Sequence, residues 1–328
     1  MTAVTNASYG VTIAGRRLEV SGDAGLAAVG PAFAGIMDCN YGPSHATLKI
    51  ETDHDPAGRD QWRHYEAGTY SYPDGALALV TRWPSSIETF LPGAQPKLHI
   101  AASPDALAGG ELRGQPANRA IAAWLASPSM QLVHGAAIAL DGRGVLIVGI
   151  GGRGKSTTAL ACARAGFSFL GDDMCVVEMG SVDRGIPARL HGVYATAKLN
   201  SDSREWLDAQ DWPALGTTLR GKAAVSLPPE IRFGRSADLV AVLGVRVDGQ
   251  CAGTPRRVTP RAAIGMLAAT RLLGPVPWIR TAAGIARALP AYELGLDWNL
   301  ERVVAAVRLV IERSSGDGSP TANPKPIQ

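Results

Sequence analysis

The sequence has few cysteines, no long apolar run and almost no net charge. Its four cysteines form no Cys-x-x-Cys pair and no metal-ligand spacing, so free thiols in a reducing cytoplasm are expected. No apolar run approaches the roughly 20 residues that span a bilayer, and the N-terminus shows no signal peptide. A net charge of +3 without a basic cluster argues against a nucleic-acid or membrane-surface partner.

Lysine is the scarce cation of this chain. Only six of the 32 basic residues are lysine, and the rest are arginine. A chain that otherwise uses arginine is expected to keep lysine where a compact, strongly hydrated charge is needed. This bias draws attention to Lys155 and Lys198. The six lysines are Lys49, Lys97, Lys155, Lys198, Lys222 and Lys325.

The length and composition predict a globular protein of two domains, because 328 residues with 46% hydrophobic content can bury two cores. Short β-type runs between Gly, Pro and Asp predict a small β-rich N-terminal domain over residues 1–112. Residues 101–116, rich in Ala, Gly and Pro, have the composition of a linker. An α/β catalytic domain is expected over 113–313. Residues 314–328 have almost no apolar content and are expected to be a disordered tail.

Within the second domain, periodicity predicts several helices and one hairpin. Residues 130–150 are interpreted as two strands joined by a turn at Asp141–Gly144. A helix over 156–164 is expected to end at Gly166. The other predicted helices cover residues 117–126, 203–209, 260–267 and 300–313.

The segment Gly149-Ile-Gly-Gly-Arg-Gly-Lys-Ser156 matches the P-loop pattern G-x-x-x-x-G-K-[ST] without a mismatch. Roughly 0.01 such matches are expected by chance in a chain of this composition. Glycines let backbone N–H groups surround a phosphate at the positive end of the following helix. Lys155 would reach the β- and γ-phosphates, and the Ser156 hydroxyl is placed to bind Mg²⁺. The residues expected to contact nucleotide are Gly149, Gly151, Gly152, Arg153, Gly154, Lys155, Ser156 and Thr157.

Two adjacent carboxylates follow the P-loop helix. Asp172 and Asp173 lie at a predicted strand end, 16 residues after Ser156. One carboxylate suffices for a metal, so a second favours transfer of the phosphoryl group to an alcohol, whose proton it would accept. From these residues alone, a hydrolysing motor or switch, a small-molecule kinase and a protein kinase all stay open.

The order of these features resembles the HPr kinase/phosphorylase family. His134-Gly135, the turn at Asp141–Gly144, the P-loop, Gly166 and the Asp pair follow in the family's order. Weaker similarity over 190–203, 267–274 and 289–294 resembles shorter relatives, including kinases of lasso-peptide precursors. The resemblance implies an α/β fold: a P-loop kinase core with a mixed sheet similar to that of phosphoenolpyruvate carboxykinase. It also implies ATP and Mg²⁺ as cofactors and allows a homo-oligomer.

The resemblance implies a serine kinase that acts on a peptide or small protein, and it implies roles for the site residues. Asp172 would be the base that takes the proton of the acceptor hydroxyl. His134, on the neighbouring strand, would orient that base. Asp173 would hold Mg²⁺ together with Ser156, while Lys155 neutralises phosphate charge.

One segment departs from the family pattern. The family carries a metal-site glutamate there, whereas this chain has no acid between Pro187 and Asn200. His191 and Lys198 occupy the segment and are candidate contacts to phosphate or substrate. The departure favours the lasso-peptide type of relative and argues against phosphorylase activity. A nucleotide-dependent regulatory ATPase without an acceptor and a small-molecule kinase stay open as alternatives.

Overall fold

The structure is a computed structural model and describes residues 7–23, 25–38, 42–53, 68–71, 77–82, 86–181, 184–247, 253–270, 278–297 and 299–316. Within these ranges the chain is a mixed α/β protein with three β-sheets, and the predicted fold class is confirmed to that extent. No helix among the described residues is long and apolar enough to cross a membrane.

Strands dominate the first part of the chain, together with one helix that the sequence pattern did not predict. The eight strands form one sheet in the order β3-β1-β2-β4-β8-β7-β6-β5, in which β4 pairs with β2 and β8 in parallel. The elements are β1 (Ala7–Ile13), β2 (Arg16–Gly22), α1 (Gly25–Phe33), β3 (Met37–Asp38), β4 (Ala46–Thr52), β5 (Gly68–Ser71), β6 (Leu77–Arg82), β7 (Ser86–Leu91) and β8 (Lys97–Ala102).

The segment interpreted as a linker folds into two short helices, so that prediction is wrong. They are α2 (Pro104–Ala108) and α3 (Gly110–Gly114), and α4 (Asn118–Leu125) follows. Ser103 caps α2, since its hydroxyl accepts the N–H of Ala106 at 3.2 Å, and proline starts the first turn. A Ser-Pro pair at this place is a helix start signal, which outweighs the glycine-rich composition.

The second half of the chain builds a larger sheet and a small one. The larger sheet has the order β12-β10-β11-β18-β14-β13-β9, with β20 also on β18 and β19 on β20. The small sheet has the order β15-β17-β16. The strands are β9 (Met130–Val133), β10 (Ala136–Leu140), β11 (Arg143–Val148), β12 (Ser168–Gly171), β13 (Cys175–Glu178), β14 (Arg189–His191), β15 (Thr196–Leu199), β16 (Ala214–Thr217), β17 (Ala223–Ser226), β18 (Ser236–Val247), β19 (Arg256–Arg257) and β20 (Ala291–Leu296).

The larger sheet is mixed and is covered by helices on both faces. β18 runs parallel to β11 and β20, whereas the hairpin β10–β11 is antiparallel. Alternate residues of β11 enter two different cores, which explains why its sequence is an unbroken apolar run. The helices are α5 (Lys155–Arg164), α6 (Ser201–Trp206), α7 (Pro260–Ala268), α8 (Trp278–Ala288) and α9 (Leu300–Gly316).

Most helix boundaries are close to those predicted. The helices α4, α5 and α7 each agree to within one residue at either end, whereas α6 begins earlier than predicted and α8 was missed. The last helix, α9, extends through residue 316, so the predicted tail at 314–328 starts inside a helix. Residues 317–328 lie outside the described part of the chain.

A break in two facing strands positions the candidate site. The prediction of one strand before the hairpin is wrong, because β9 and β10 are interrupted at His134-Gly135. Residues 130–140 run antiparallel to 168–178, with β9 on β13 and β10 on β12. At the break the Gly135 N–H donates to the Asp173 carbonyl at 3.2 Å. The interruption therefore places His134 against the Asp pair in a gap between strands.

The first hydrophobic core crosses the predicted domain boundary at residue 112. It joins β-sheet residues such as Leu48 to Ile121 of α4 and to Tyr194, which precedes β15. The Tyr194 hydroxyl donates to the Pro116 carbonyl at 2.7 Å. The N-terminal sheet is therefore packed against the segment that leads to Lys198.

Gly166 should resist substitution because it ends α5 with φ +94°, in the left-handed region. Its N–H donates to Ala163 O at 3.1 Å, and the next N–H, of Phe167, donates to Cys162 O at 3.1 Å. A Cβ at Gly166 would meet nothing within 4 Å, so only backbone strain should act. We expect Gly166→Ala to lower the free energy of unfolding by about 1 kcal/mol.

The matched control for this change is Gly265→Ala, in the interior of α7 and also in open space. It should raise the free energy of unfolding by about 0.5 kcal/mol. The measurement is the urea unfolding midpoint by circular dichroism. If Gly166→Ala and Gly265→Ala both raised or both lowered the unfolding midpoint, left-handed backbone strain at Gly166 would be contradicted.

Candidate functional site

The P-loop segment joins β11 to α5, so the strand–loop–helix context of the motif is confirmed. Gly149, Gly152 and Gly154 have φ of +151°, +77° and +90°, which other residues rarely adopt. Gly154 is the N-cap of α5 and makes no side-chain capping bond. The first N–H groups of α5 therefore remain available at the positive end of the helix, as an anion site requires.

Lys155 is folded back onto the loop that precedes it. Its side chain is buried, and Nζ donates to the Gly149 carbonyl at 2.9 Å and to the Ile150 carbonyl at 3.4 Å. Burial lowers the pKa of Lys155, and the negative charges of Asp172 and Asp173 oppose that shift. The ammonium group thus lies in the field of both carboxylates.

A polar cavity of about 390 Å³ lies beside the start of α5. It brings together five residues of the predicted site: His134, Ser156, Asp172, Asp173 and Lys198. Its opposite wall comes from residues before 120, chiefly Glu88, Glu111 and Gln115. The site is therefore composite, with the N-terminal part of the chain closing one side.

Asp173 is held by His134 and Lys198. Its backbone has φ +67°, and its carboxylate lies 2.9 Å from His134 Nδ1 and 3.2 Å from Lys198 Nζ. Burial alone would raise the pKa of Asp173, but the hydrogen bonds and charges of His134 and Lys198 outweigh it. The pKa of Asp173 is held well below its usual range, so this carboxylate stays ionised.

Asp172 is in the opposite situation. It is 1% exposed, and its Oδ2 accepts the N–H of Lys198 at 3.0 Å. Its Oδ1 is buried and accepts no hydrogen bond within the described part of the chain. Burial and the charge of Asp173 raise the pKa of Asp172, whereas the Lys198 N–H, the nearby Ser156 hydroxyl and the Lys222 charge oppose the shift.

The contacts pair the site residues differently from the sequence prediction. The prediction joined His134 to Asp172 and Ser156 to Asp173. The structure joins His134 to Asp173 and brings Ser156 to Asp172. The physical reason is the left-handed backbone of Asp173, which turns its side chain towards the gap between β9 and β10. Strand geometry would instead have put the two carboxylates on opposite faces.

Lys198 contacts both aspartates. Its N–H donates to Asp172, and its Nζ lies 3.2 Å from Asp173 Oδ2 and 2.8 Å from Glu111 Oε2. Burial would lower the pKa of Lys198, but the charges of Asp173 and Glu111 outweigh it and raise the pKa. The sequence analysis missed Glu111 because it lies in the segment interpreted as a linker. The start signal of α2 could have shown that this segment is folded.

Glu88 is a second acid that the sequence analysis missed. It is 2% exposed, and its Oε2 accepts the N–H groups of Arg119 at 3.2 Å and Ala120 at 3.1 Å, in the first turn of α4. Burial raises the pKa of Glu88 to about 7, although these N–H groups and the Arg119 charge oppose the shift. Its position in the short strand β7, between an apolar and a polar residue and in no motif, gave no sign of burial at a site.

The remaining predicted contacts lie at other places. His191 of β14 is not among the residues that line the described cavity, and its Nε2 lies 2.8 Å from Glu178 Oε2. Thr157 bonds the Ser203 hydroxyl at 2.9 Å and faces a small apolar cleft beside Trp206. Gly151, Gly152 and Arg153 are exposed on the outer side of the loop.

The donor set around Asp172 fits Mg²⁺. The unpartnered, buried Asp172 Oδ1 and the neighbouring Ser156 hydroxyl are both oxygen ligands. No group of three His, Cys, Asp or Glu residues in the described ranges could hold a metal ion by itself. Mg²⁺ commonly takes one or two carboxylates and completes its shell with substrate phosphates and water. The fit therefore depends on phosphates bound at the adjacent P-loop.

Comparison with known proteins gives little further guidance. No protein-family model and no curated protein sequence matches this chain. The chain is similar to the solved structure of the Hpr(Ser) kinase/phosphatase from Coxiella burnetii. That similarity covers 57% of this chain and 99% of that chain, with 14% identity and a TM-score of 0.32. At this TM-score the likeness does not establish a shared fold.

The raised pKa of Glu88 should make stability depend on pH. A carboxyl with a folded pKa of about 7 stabilises the fold when protonated, and that contribution is lost as pH rises from about 4.5 through 7. Glu88→Gln should match the wild type near pH 4 and exceed its free energy of unfolding by roughly 3 kcal/mol at pH 8. Urea unfolding at both pH values measures this. The exposed control Glu230→Gln should show no such difference, and a pH-independent effect of Glu88→Gln would refute the raised pKa.

Neutralising the two aspartates should change stability in opposite directions at pH 7. Asp172→Asn should raise the free energy of unfolding, because a buried carboxyl with a raised pKa is unfavourable when ionised. Asp173→Asn should lower it by roughly 2 kcal/mol, since charged hydrogen bonds are lost. This loss should shrink below about pH 4, where the unfolded aspartate is protonated. Urea unfolding of both variants and the wild type measures these changes. If both variants changed the free energy of unfolding by the same amount and sign, the two aspartates would not lie in opposite environments.

Proposed function

We propose that this protein is an ATP- and Mg²⁺-dependent kinase that transfers the γ-phosphoryl group to a serine hydroxyl of a peptide or small protein. The observation that carries this proposal is that Ser156 of the P-loop lines one cavity with two differently held aspartates, whose charges also act on Lys155. A P-loop alone supports only the binding of a nucleotide. A second carboxylate paired with histidine supplies what an acceptor alcohol needs.

Nucleotide binding would use the residues of the P-loop. The open N–H groups at the start of α5 would bind phosphate oxygens, and Lys155 would exchange its carbonyl partners for the β- and γ-phosphates. Asp172 and Ser156 would hold Mg²⁺, which neutralises phosphate charge when bound. This assignment follows from the unpartnered Asp172 Oδ1 and from the place of Ser156 in the same cavity lining.

Proton transfer would use His134 and Asp173. The 2.9 Å contact to Asp173 involves Nδ1, so that nitrogen carries the proton and Nε2 is the acceptor. The imidazole lines the cavity and is about a third exposed. In the reaction the acceptor oxygen forms a bond to the γ-phosphorus, the bond from that phosphorus to the ADP oxygen breaks, and the hydroxyl proton passes to His134 Nε2. Asp173 would orient the ring and stabilise the imidazolium.

We assign the base to His134 rather than to Asp172 for a physical reason. Asp172 has one oxygen on the Lys198 N–H, and its buried, unpartnered Oδ1 would serve the metal in the cavity that Ser156 also lines. The ionised Asp173, with its low pKa, is a weak base by itself but a strong partner for a protonated histidine.

The acceptor would enter between the P-loop side and the N-terminal wall. A cavity of about 390 Å³ with a polar lining accommodates a serine side chain with a short part of its chain. A C-terminal serine, such as that of a lasso-peptide precursor, fits a cavity of this size better than a serine within a folded surface. The free, buried thiols of Cys162 and Cys175 suit the reducing cytoplasm.

The size of the cavity also favours one second candidate, a kinase for a small hydroxylated molecule. A regulatory ATPase without an acceptor remains the alternative if the nucleotide is hydrolysed or merely bound. The three functions differ in where the γ-phosphate goes, so the product identifies the function directly.

The test is transfer from γ-labelled ATP with Mg²⁺ to a mixture of synthetic peptides carrying internal or C-terminal serine. Phosphopeptides are identified by mass. Lys155→Met should abolish ATP binding and transfer, because a phosphate-binding charge is lost. His134→Gln should keep ATP binding but slow transfer by about 10²-fold or more, because a general base is lost.

The matched control is His191→Gln, a histidine outside the cavity, which should leave the transfer rate within about twofold. Label found only in free phosphate would favour the regulatory ATPase over a kinase. Label found only in a small metabolite, after adding a cell extract, would favour the small-molecule kinase.

A further inference from the structure

The hairpin between β16 and β17 reaches the same cavity and was not implicated by the sequence. Its tip, residues 218–222, is closed by three hydrogen bonds. The Thr218 N–H donates to the Lys222 carbonyl at 2.7 Å, the Gly221 N–H donates to the Thr218 carbonyl at 3.0 Å, and the Lys222 N–H donates to Thr218 Oγ1 at 3.0 Å. Thr218, Leu219, Arg220 and Lys222 of this hairpin tip line the cavity with Ser156 and Asp172.

The small sheet positions two lysines, Lys198 and Lys222, in the lining of the cavity. β15 carries Lys198 and pairs with β17, which begins directly after Lys222. The positive charge of Lys222 lowers the pKa of both Asp172 and Lys155, so the three groups interact electrostatically. Lys198 and Lys222 line this cavity, and Lys155 interacts electrostatically with its two aspartates and with Lys222.

The cations of the hairpin tip differ from Lys198 in forming no ion pair within the described part of the chain. Lys198 is paired with Glu111 and Asp173, whereas neither Arg220 nor Lys222 forms an ion pair with any described residue. The bonds that close the tip involve only backbone groups and the Thr218 hydroxyl. Lys222 is half-buried, and a partly desolvated cation without a partner is unfavourable unless an anion binds there.

We propose that the hairpin tip is a phosphate clamp, in which Arg220 and Lys222 bind the terminal phosphoryl group of the nucleotide opposite the P-loop. This inference rests on the proposed function and adds catalytic residues to it. Negative charge shifts onto the phosphoryl oxygens and the leaving oxygen during transfer, and cations fixed beside them stabilise that transition state. Lys155 would act from the P-loop side and Lys222 from the hairpin side.

The clamp makes a specific prediction about nucleotide preference. Because only ATP carries a γ-phosphate, Lys222→Ala and Arg220→Ala should each weaken ATP binding by about tenfold while changing ADP binding much less. The measurement is isothermal titration of the full chain with Mg²⁺ and either ADP or a non-hydrolysable ATP analogue. Lys222→Arg should keep most of the preference for the ATP analogue.

Arg261→Ala is the matched control, since Arg261 is an exposed arginine in the first turn of α7 and does not line the cavity. Its ratio of ATP-analogue to ADP affinity should equal that of the wild type. If the wild type binds both nucleotides and the charge variants keep its ratio, the clamp is wrong while the proposed function stands. If the wild type binds neither nucleotide, the proposed function and the clamp both fail.

Discussion

The whole site depends on the way Lys198 holds two neighbouring carboxylates at once. Its backbone N–H bonds Asp172, and its ammonium group bonds Asp173 and Glu111. Two adjacent carboxylates repel each other when both are ionised. Because Lys198 neutralises one of them and orients the other, the pair can remain in a buried cavity beside Lys155. The ion pair to Glu111 also ties this arrangement to the N-terminal half of the chain.

Adjacent groups with opposite pKa shifts are suited to different tasks. Asp173 is kept ionised by His134 and Lys198, whereas Asp172 is buried with an unpartnered oxygen next to Ser156. Environments that separate the pKa values of two carboxyls are a recurring way to divide roles in an active site. The proposed division would place the metal on the Ser156 side and the transferred proton on the His134 side. The hairpin tip adds positive charge on the remaining wall.

The sequence predicted the local parts of this site and missed the long-range ones. The P-loop, the glycine end of α5 at Gly166 and the hairpin after His134 follow from turn chemistry and periodicity, which are local. The partner of each aspartate was not predictable, because it depends on one left-handed φ at Asp173. Glu111 reaches Lys198 across 87 residues, a contact that only tertiary packing creates. The place of Lys222 at the site was not predictable either, because a single lysine in a turn forms no sequence pattern.

The most direct test of the central claim is electron paramagnetic resonance of Mn²⁺, in place of Mg²⁺, bound with ATP to the wild type, Asp172→Asn and Asp173→Asn. The metal should bind with nucleotide to the wild type and to Asp173→Asn. Its affinity should fall by about tenfold or more in Asp172→Asn, which loses the carboxylate beside Ser156. Loss of Mn²⁺ in Asp173→Asn, with retention in Asp172→Asn, would contradict the division of roles between the two aspartates.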